Sequence, residues 1–338
     1  MKKLPLSLLA GLLGICTLAM PAQSDAAEIV IKAAHTIAVG NAREVPWAKF
    51  KEFAEAKSNG RIEVQLYPNS ALGNDNELLE KTQMGAIQVG FCSSSNLTTS
   101  VADWAVFDLP YIFSNTNANQ KLFYTKDGYL GGPIFDRLNA QMLKKNIKLL
   151  WISPAAFRGI GVNKAGVKKL SDLKGMKIRC TASDVERDAI AAFGANPVAM
   201  GFGEIYTALQ QKTLDGESLP PDLMYDSKHH EVIKSVLANR FNGFFTIANM
   251  NASFYNNLPD WAKKVVDEAA HDAIAYTNEH WDELLNERVE KMKASGVEVY
   301  EPSGEELNEW IQATRPIVDE YIKKNGTEWY NTVLNASK

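Results

Sequence analysis

Gly175-Met176-Lys177-Ile178-Arg179-Cys180-Thr181-Ala182-Ser183 is the stretch whose reading decides the fold. Lys177, Arg179 and Thr181 alternate with Met176, Ile178 and Cys180, the period of two of a strand with one apolar face. Ser183 then stands at the place of an N-cap, and Glu186 three residues on completes a capping box, so a helix starts where the strand ends. A guanidinium at a strand's carboxyl end, beside a helix N-terminus, lies where open α/β sheets bind ligands, and the helix end favours an anion. Arg179 can hold a carboxylate through two parallel hydrogen bonds. The alternative is an interdomain or surface ion pair, and the surrounding sequence has to separate the two.

Working outward, the same alternation recurs. Residues 28–35 read as a strand ending in His35 and Thr36, followed by an amphipathic helix over 43–57 that Asn59-Gly60 stops. A second strand is expected at 61–67. A helix over 74–84 follows, capped by Asn74 or Asp75 and ended by Gly85. Residues 87–92 are a continuously apolar strand that runs into the polar loop Ser93-Ser94-Ser95-Asn96. After a helical stretch around 120–146, strands are expected at 147–152, 158–162, 177–181 and 197–200, with helices after Ser183 and Gly203. Strands alternating with helices predict parallel βαβ units, here in two α/β bodies. Residues 259–295 form one long helical pattern, with Trp261, Val265, Ala269, Ala273, Trp281, Leu284, Leu285 and Val289 on a recurring face. At 1.5 Å per residue it would span roughly 55 Å, enough to cross both bodies. A last helix follows Ser303, with Trp310, Ile317 and Tyr321 on its buried side.

The 338-residue chain carries a formal charge of −4. Met1-Lys2-Lys3, the apolar run to Met20, and the small residues Ser24 and Ala26 read as a signal peptide over 1–26. Its removal, with Lys2, Lys3 and Asp25, takes the charge to −5. An acidic chain of this kind lacks the basic face that nucleic acid requires. No later stretch is long and apolar enough to span a membrane. Cys92 and Cys180 each follow a buried strand pattern in different domains and are expected to stay unpaired. No nucleophile elbow, HExxH, CxxC or cofactor loop is present, which argues against an enzyme and for no cofactor; a carboxylate-using hydrolase stays open. His229-His230-Glu231 looks like a metal motif, but adjacent histidines on a helix point apart, and it reads as a surface pair with no metal.

The remaining signal is an ordered set of short matches. They are Gly60-Arg61-Ile62-Glu63-Val64, Tyr67-Pro68-Asn69, Leu72-Gly73, Phe107-Asp108-Leu109-Pro110-Tyr111-Ile112-Phe113, Phe157-Arg158 and Leu173-Lys174-Gly175-Met176-Lys177-Ile178-Arg179. Glu204-Ile205-Tyr206-Thr207-Ala208-Leu209-Gln210, Leu214-Asp215-Gly216 and Leu258-Pro259 complete it. In this order and spacing the chain resembles the substrate-binding proteins of tripartite ATP-independent periplasmic (TRAP) transporters, the DctP family. The resemblance implies a two-domain α/β periplasmic binding protein fold, with crossing strands and a long helix spanning both domains. The expected division is residues 27–152 with about 242–275 in one domain and 153–241 with about 276–338 in the other, the ligand cleft lying between them. It also implies a periplasmic monomer that captures a small organic acid and delivers it to the small and large subunits of a membrane permease. A ligand-sensing domain for a membrane receptor would use the same clamp.

By the same resemblance Arg179 pairs with the ligand carboxylate, Arg158 assists, and Phe202 packs on the ligand. One position departs from the family. Where the family shows Asp-Gly-x-x-Asn-Pro, this chain has Asp215-Gly216-Glu217-Ser218-Leu219-Pro220, so Leu219 replaces a ligand-binding amide. A polar group buried against leucine costs on the order of 1–3 kcal/mol. The expected ligand is therefore a monocarboxylate with an apolar or aromatic body, such as an aromatic amino or keto acid; sugar acids and dicarboxylates are the alternative. From the first domain the candidates facing the cleft are His35, Thr36, Asp75, Glu77, Ser94, Ser95 and Asn96, an acidic one among them being suited to an α-amino group.

Overall fold

The computed structural model describes residues 26–113 and 116–337. Except for Ala26, the expected signal peptide lies outside the described residues. In chain order the first half runs β1 (Ile29–Ala34), α1 (Val45–Lys57), β2 (Ile62–Tyr67), α2 (Asp75–Met84), β3 (Val89–Ser93), α3 (Ser94–Leu97), α4 (Ala118–Phe123), α5 (Pro133–Leu143) and β4 (Ile147–Ile152). The middle continues β5 (Ala156–Phe157), β6 (Gly159–Val162), β7 (Lys177–Cys180), α6 (Asp184–Ala192), β8 (Asn196–Ala199), α7 (Ile205–Gln210), β9 (Gly216–Leu219), α8 (Pro221–Asp226) and β10 (Ser235–Leu237). The rest is β11 (Gly243–Phe244), β12 (Thr246–Asn251), α9 (Ala252–Asn257), α10 (Asp260–Ala294), β13 (Glu298–Tyr300), α11 (Gly304–Asn325) and α12 (Thr327–Ser337).

These strands make two sheets. The first has the order β2-β1-β3-β12-β4 and the second β13-β10-β6-β9-β7-β8. Both are mixed rather than wholly parallel. In the first, β12 runs antiparallel to β3 and β4; in the second, β6 runs antiparallel to β9 and β10. The reason is the crossing: a chain that leaves one sheet and enters the other, and later returns, must reverse direction in each. It crosses outward through β4, β5 and β6 and returns through β10, β11 and β12, with β5 and β11 paired antiparallel between the sheets.

Local chemistry explains the elements beside the cleft. Asn74 caps α2 through the amides of Asn76 and Glu77, and Glu77 returns its carboxylate to the Asn74 amide at 2.8 Å. Gly85 ends that helix at φ 79°. Every residue of β3 and β12 is buried, as central strands covered on both faces must be. A side chain at Gly90 would run into Thr82 and the Leu78 carbonyl of α2, so glycine lets that helix press onto β3.

Helix α10 is 35 residues long, about 53 Å at 1.5 Å per residue. Its buried face is Ala262, Val266, Ala269, Ala270, Ala273, Ile274, Thr277 and Trp281, one position away from the expected Trp261 and Val265 in its first half. Small alanines let the helix lie close on α1, while Trp261 stays partly open beneath the Arg61 guanidinium, 3.7 Å from its ring. Further along, the Trp281 indole donates to the Ala155 carbonyl at the crossing, and Met292 enters the second domain's core. In α11, Trp310 packs edge-on against Phe193, whereas Ile317 and Tyr321 are only half-buried. The contacts of α12 differ from the expected placement of all of 276–338 in the second domain. Trp329 and Val333 bury in the first domain's core, and the Trp329 indole donates to the Asp103 carbonyl at 3.0 Å.

Candidate functional site

Between the two sheets lies a narrow cavity lined by Thr36, Ile37, Asp75, Phe91, Ser93, Asn96, Arg158, Arg179, Thr181, Phe202, Leu219, Leu223 and Phe244. Arg179 reaches it from the carboxyl end of β7. It is 3% exposed, and its Nε donates to the Met200 carbonyl at 3.0 Å. Its Nη1 is buried without a partner, and it forms no ion pair among the described residues. Burial lowers its pKa from the ordinary arginine value, the Arg158 charge adds to that, and Glu186 and Glu217 oppose it. A buried cation with an unused donor edge is the feature a carboxylate completes.

Arg158 is a different case. Its side chain is fully buried, and Nη1 lies 2.8 Å from the Ser218 carbonyl and 3.4 Å from the Glu186 carboxylate. Nη2 donates to Ser95 Oγ at 3.4 Å, and the guanidinium sits 4.6 Å over the Phe244 ring. Its charge already has a counter-charge. Glu186 supplies it because the expected capping box forms by half. Ser183 does cap α6, but the Glu186 carboxylate turns inward to the Thr181 amide, the Thr181 hydroxyl, the Ser218 hydroxyl and Arg158.

The first-domain wall is built around Asp75. Thr36 Oγ1 donates to its Oδ1 at 3.3 Å, and the Ser93 amide and the Asn96 side chain donate to Oδ2 at 3.1 and 2.9 Å. Asn96 also reaches across the cleft, where its Oδ1 accepts from the Ala182 amide at 3.3 Å. Thr36, Asp75 and Asn96 thus line the cavity with Arg179, Arg158, Phe202 and Leu219. His35, Glu77, Ser94 and Ser95 do not. His35 is fully buried behind the wall with its ring 4.9 Å from Trp47, and burial lowers its pKa to about 4. Glu77 is exposed and spent on the α2 cap. Ser94 accepts from the Phe245 amide, and Ser95 donates to Asp108 at 2.7 Å. The polar run around them is a helical turn rather than an open loop, because Ser93 caps it through the Asn96 amide.

Several residues of the site had no reading in advance. Ile37, Phe91, Leu223 and Phe244 line the cavity, and only their apolar neighbourhood could have marked them. Asp108 lies buried under the closed interface, its pKa pushed up to about 7 by burial first and then by Glu186. His229 is a correction: it is 3% exposed, not a surface residue, and its Nδ1 meets both Glu217 carboxylate oxygens at 2.9 and 2.8 Å. The two cysteines are free and buried, Cys92 on β3 and Cys180 on β7. Among the described residues no group of His, Cys, Asp and Glu side chains could hold a metal ion.

Contacts between the domains hold this arrangement closed. Arg43, 1% exposed, pairs with Asp222 at the start of α8 and packs 5.5 and 5.4 Å from the rings of Phe244 and Trp281. Beside it the Ala42 amide donates to Asp226, which also accepts from Arg288 of α10.

Two α/β domains that cross over twice and close on a buried guanidinium have the architecture of a periplasmic binding protein. The pattern of bacterial extracellular solute-binding protein, family 7 (DctP) matches residues 34–325, and the chain belongs to that family. It is 32% identical to the C4-dicarboxylate-binding periplasmic protein DctP of Rhodobacter capsulatus, over 95% of each chain. It is 28% identical to the 2,3-diketo-L-gulonate-binding periplasmic protein YiaO of Escherichia coli, over 86% of this chain and 85% of that one. Among solved structures it is similar to the sugar acid binding protein DctPAm from Advenella mimigardefordensis in complex with galactonate, with TM-score 0.86, 26% identity, and 93% and 99% of the two chains covered. A TRAP periplasmic solute-binding protein from Shewanella oneidensis with bound succinate matches with TM-score 0.84 and 27% identity, over 92% and 99%. The chain is a TRAP solute-binding protein of the DctP family.

Proposed function

We propose that this protein captures a monocarboxylate with an apolar or aromatic body, such as an aromatic amino or keto acid. Exported by residues 1–26 and acting as a periplasmic monomer, it delivers the acid to the small and large subunits of a TRAP permease. The observation that carries this reading is the asymmetry of the two arginines. Each guanidinium keeps one buried donor without a partner, Nη1 of Arg179 and Nε of Arg158, but Arg158 is paired with Glu186 while Arg179 has no ion pair among the described residues. One free guanidinium serves one carboxylate. A second carboxylate would meet no free cation in the cavity and would face Asp75. Phe202, Leu219, Phe91 and Phe244 then enclose the body of the ligand, and Asp75, held by Asn96, Thr36 and the Ser93 amide, is the acceptor for an amino or hydroxyl group.

A sugar acid or dicarboxylate is the second reading, favoured by the galactonate and succinate bound in the similar structures. The test is a thermal-shift panel on refolded, ligand-free protein. It sets phenylpyruvate, indole-pyruvate, tryptophan and branched keto acids beside succinate and galactonate. Ligand at 100 times its Kd adds about 2.7 kcal/mol, which raises the midpoint by several degrees. A shift with the apolar acids alone, abolished by Arg179→Ala, is the expected result. A shift with succinate or galactonate alone overturns the ligand class, and undiminished binding by Arg179→Ala overturns the clamp.

A further inference from the structure

Glu217 lies beside Arg179 in the sheet, and His229 lies against Glu217. Glu217 on β9 stands opposite Arg179 on β7 in the strand register, so both side chains leave the same face of the sheet. The Glu217 carboxylate is fully buried, and among the described residues its sole hydrogen-bond partner is His229 Nδ1. The histidine packs against the rings of Phe202 and Tyr206, at 6.1 and 6.2 Å between centroids. A buried carboxylate needs a counter-charge. With Arg158 already matched to Glu186, Glu217 has two cations to draw on, Arg179 and a protonated His229.

A ligand changes that balance. Once a carboxylate sits on Arg179, two anions share one guanidinium, and a proton on His229 restores neutrality. We propose that Glu217 and His229 are a proton-carrying positioning pair for Arg179, and that capture of a carboxylate takes up one proton at this pair. The inference rests on Arg179 as the ligand's partner. With Glu217 ionised, Nδ1 must donate to it, so the incoming proton, drawn from solvent, goes to Nε2. Among the other charged and titratable groups around the pair, Asp108 lies beside Glu186 and Arg158 and accepts from Ser95. Glu186 of α6 is tied to Arg158, and Asp75 across the cleft to Thr36, Ser93 and Asn96. Glu231 accepts from Tyr206 of α7 at 2.8 Å, and His230 stacks on Tyr225 of α8. By linkage, a site that gains a proton with its ligand binds more weakly as the pH rises, up to tenfold per pH unit.

The deciding experiment has a ligand-free arm. Nitrogen NMR of His229 at pH 7 compares wild type with Arg179→Met. Removing the guanidinium leaves Glu217 dependent on His229 alone, so the imidazolium fraction should rise. Glu217→Gln should lower that fraction and cancel the effect of Arg179→Met. The same His229 spectrum in wild type and Arg179→Met overturns the proposal, as does an effect that survives Glu217→Gln. In a second arm, calorimetry with phenylpyruvate in phosphate and in Tris should show proton uptake that Glu217→Gln loses and His280→Gln, on the outer face of α10, keeps. Failure of phenylpyruvate to bind would count against the ligand reading and leave the first arm to decide the coupling.

Discussion

Asp222→Ala should unlatch the closed form without unfolding the protein. Asp222 is the counter-charge of Arg43, and both side chains are almost completely buried where the two domains meet. Breaking a buried pair by removing one partner costs about 3–5 kcal/mol, because the other charge is left uncompensated. Here that cost falls on the closed form, since opening returns Arg43 to water. The ratio of closed to open molecules should drop by roughly two to three and a half powers of ten, and the apparent affinity for any ligand that needs closure should fall with it. Fluorescence energy transfer between dyes on the two domains would read closure directly, while urea unfolding of the ligand-free variant should change by less than about 1 kcal/mol. Arg43→Met with Asp222→Leu is the control, placing an apolar pair beside Phe244 and Trp281 and restoring closure. If Asp222→Ala closes as readily as wild type, the latch argument is wrong.

Three further outcomes are expected. Asp108, raised to about 7 by burial and Glu186, keeps its proton in the folded protein up to about that pH, while the unfolded chain ionises near 4. Its contribution is present at low pH and lost between about 4 and about 7, so Asp108→Asn should gain stability over wild type across that window and hold the gain above it, as followed by urea melts. His35, lowered to about 4 by burial, works in the opposite direction: its stability is present above about 6.5 and lost as the pH falls towards 4, and His35→Phe should flatten that acid limb in the same melts. Leu219→Asn puts an amide into the cavity wall. It should improve binding of hydroxylated acids relative to apolar ones by about 1–3 kcal/mol in competition calorimetry, and an unchanged preference would mean that Leu219 does not face the ligand.

The features legible in the sequence were those with a local cause. Asn74 and Glu77 announce the α2 cap, Ser183 announces the α6 cap, and the long apolar pattern announces α10. The place of Arg179 in the cavity wall was legible because a strand and a helix start meet around it. What stayed hidden depended on partners distant in the chain. Glu186 matches a capping signal, but its carboxylate is drawn inward by Arg158, and nothing near residue 186 says so. His229 looked solvated beside His230, yet Glu217, twelve positions earlier on a different element, pulls it under the surface. Strand β12 was not predicted at all, because Thr246, Asn249 and Asn251 break its apolar run. Each is nonetheless buried, and Asn251 caps α9 while donating to the Thr82 carbonyl.

The return of the chain to its first sheet also sets the order in which the molecule can assemble. β12 fills the gap between β3 and β4, and the Phe245 amide just before it donates to Ser94 across 151 positions of sequence. The Trp329 contact of α12 with Asp103 spans 226. A chain synthesised from its N-terminus therefore brings out β1, β2 and β3 long before the strand that joins them to β4. Until then that half of the protein has an open sheet edge and no finished core. Non-local pairing of this kind folds slowly and leaves strand edges open to aggregation in the interval. The first domain to emerge is among the last to be completed.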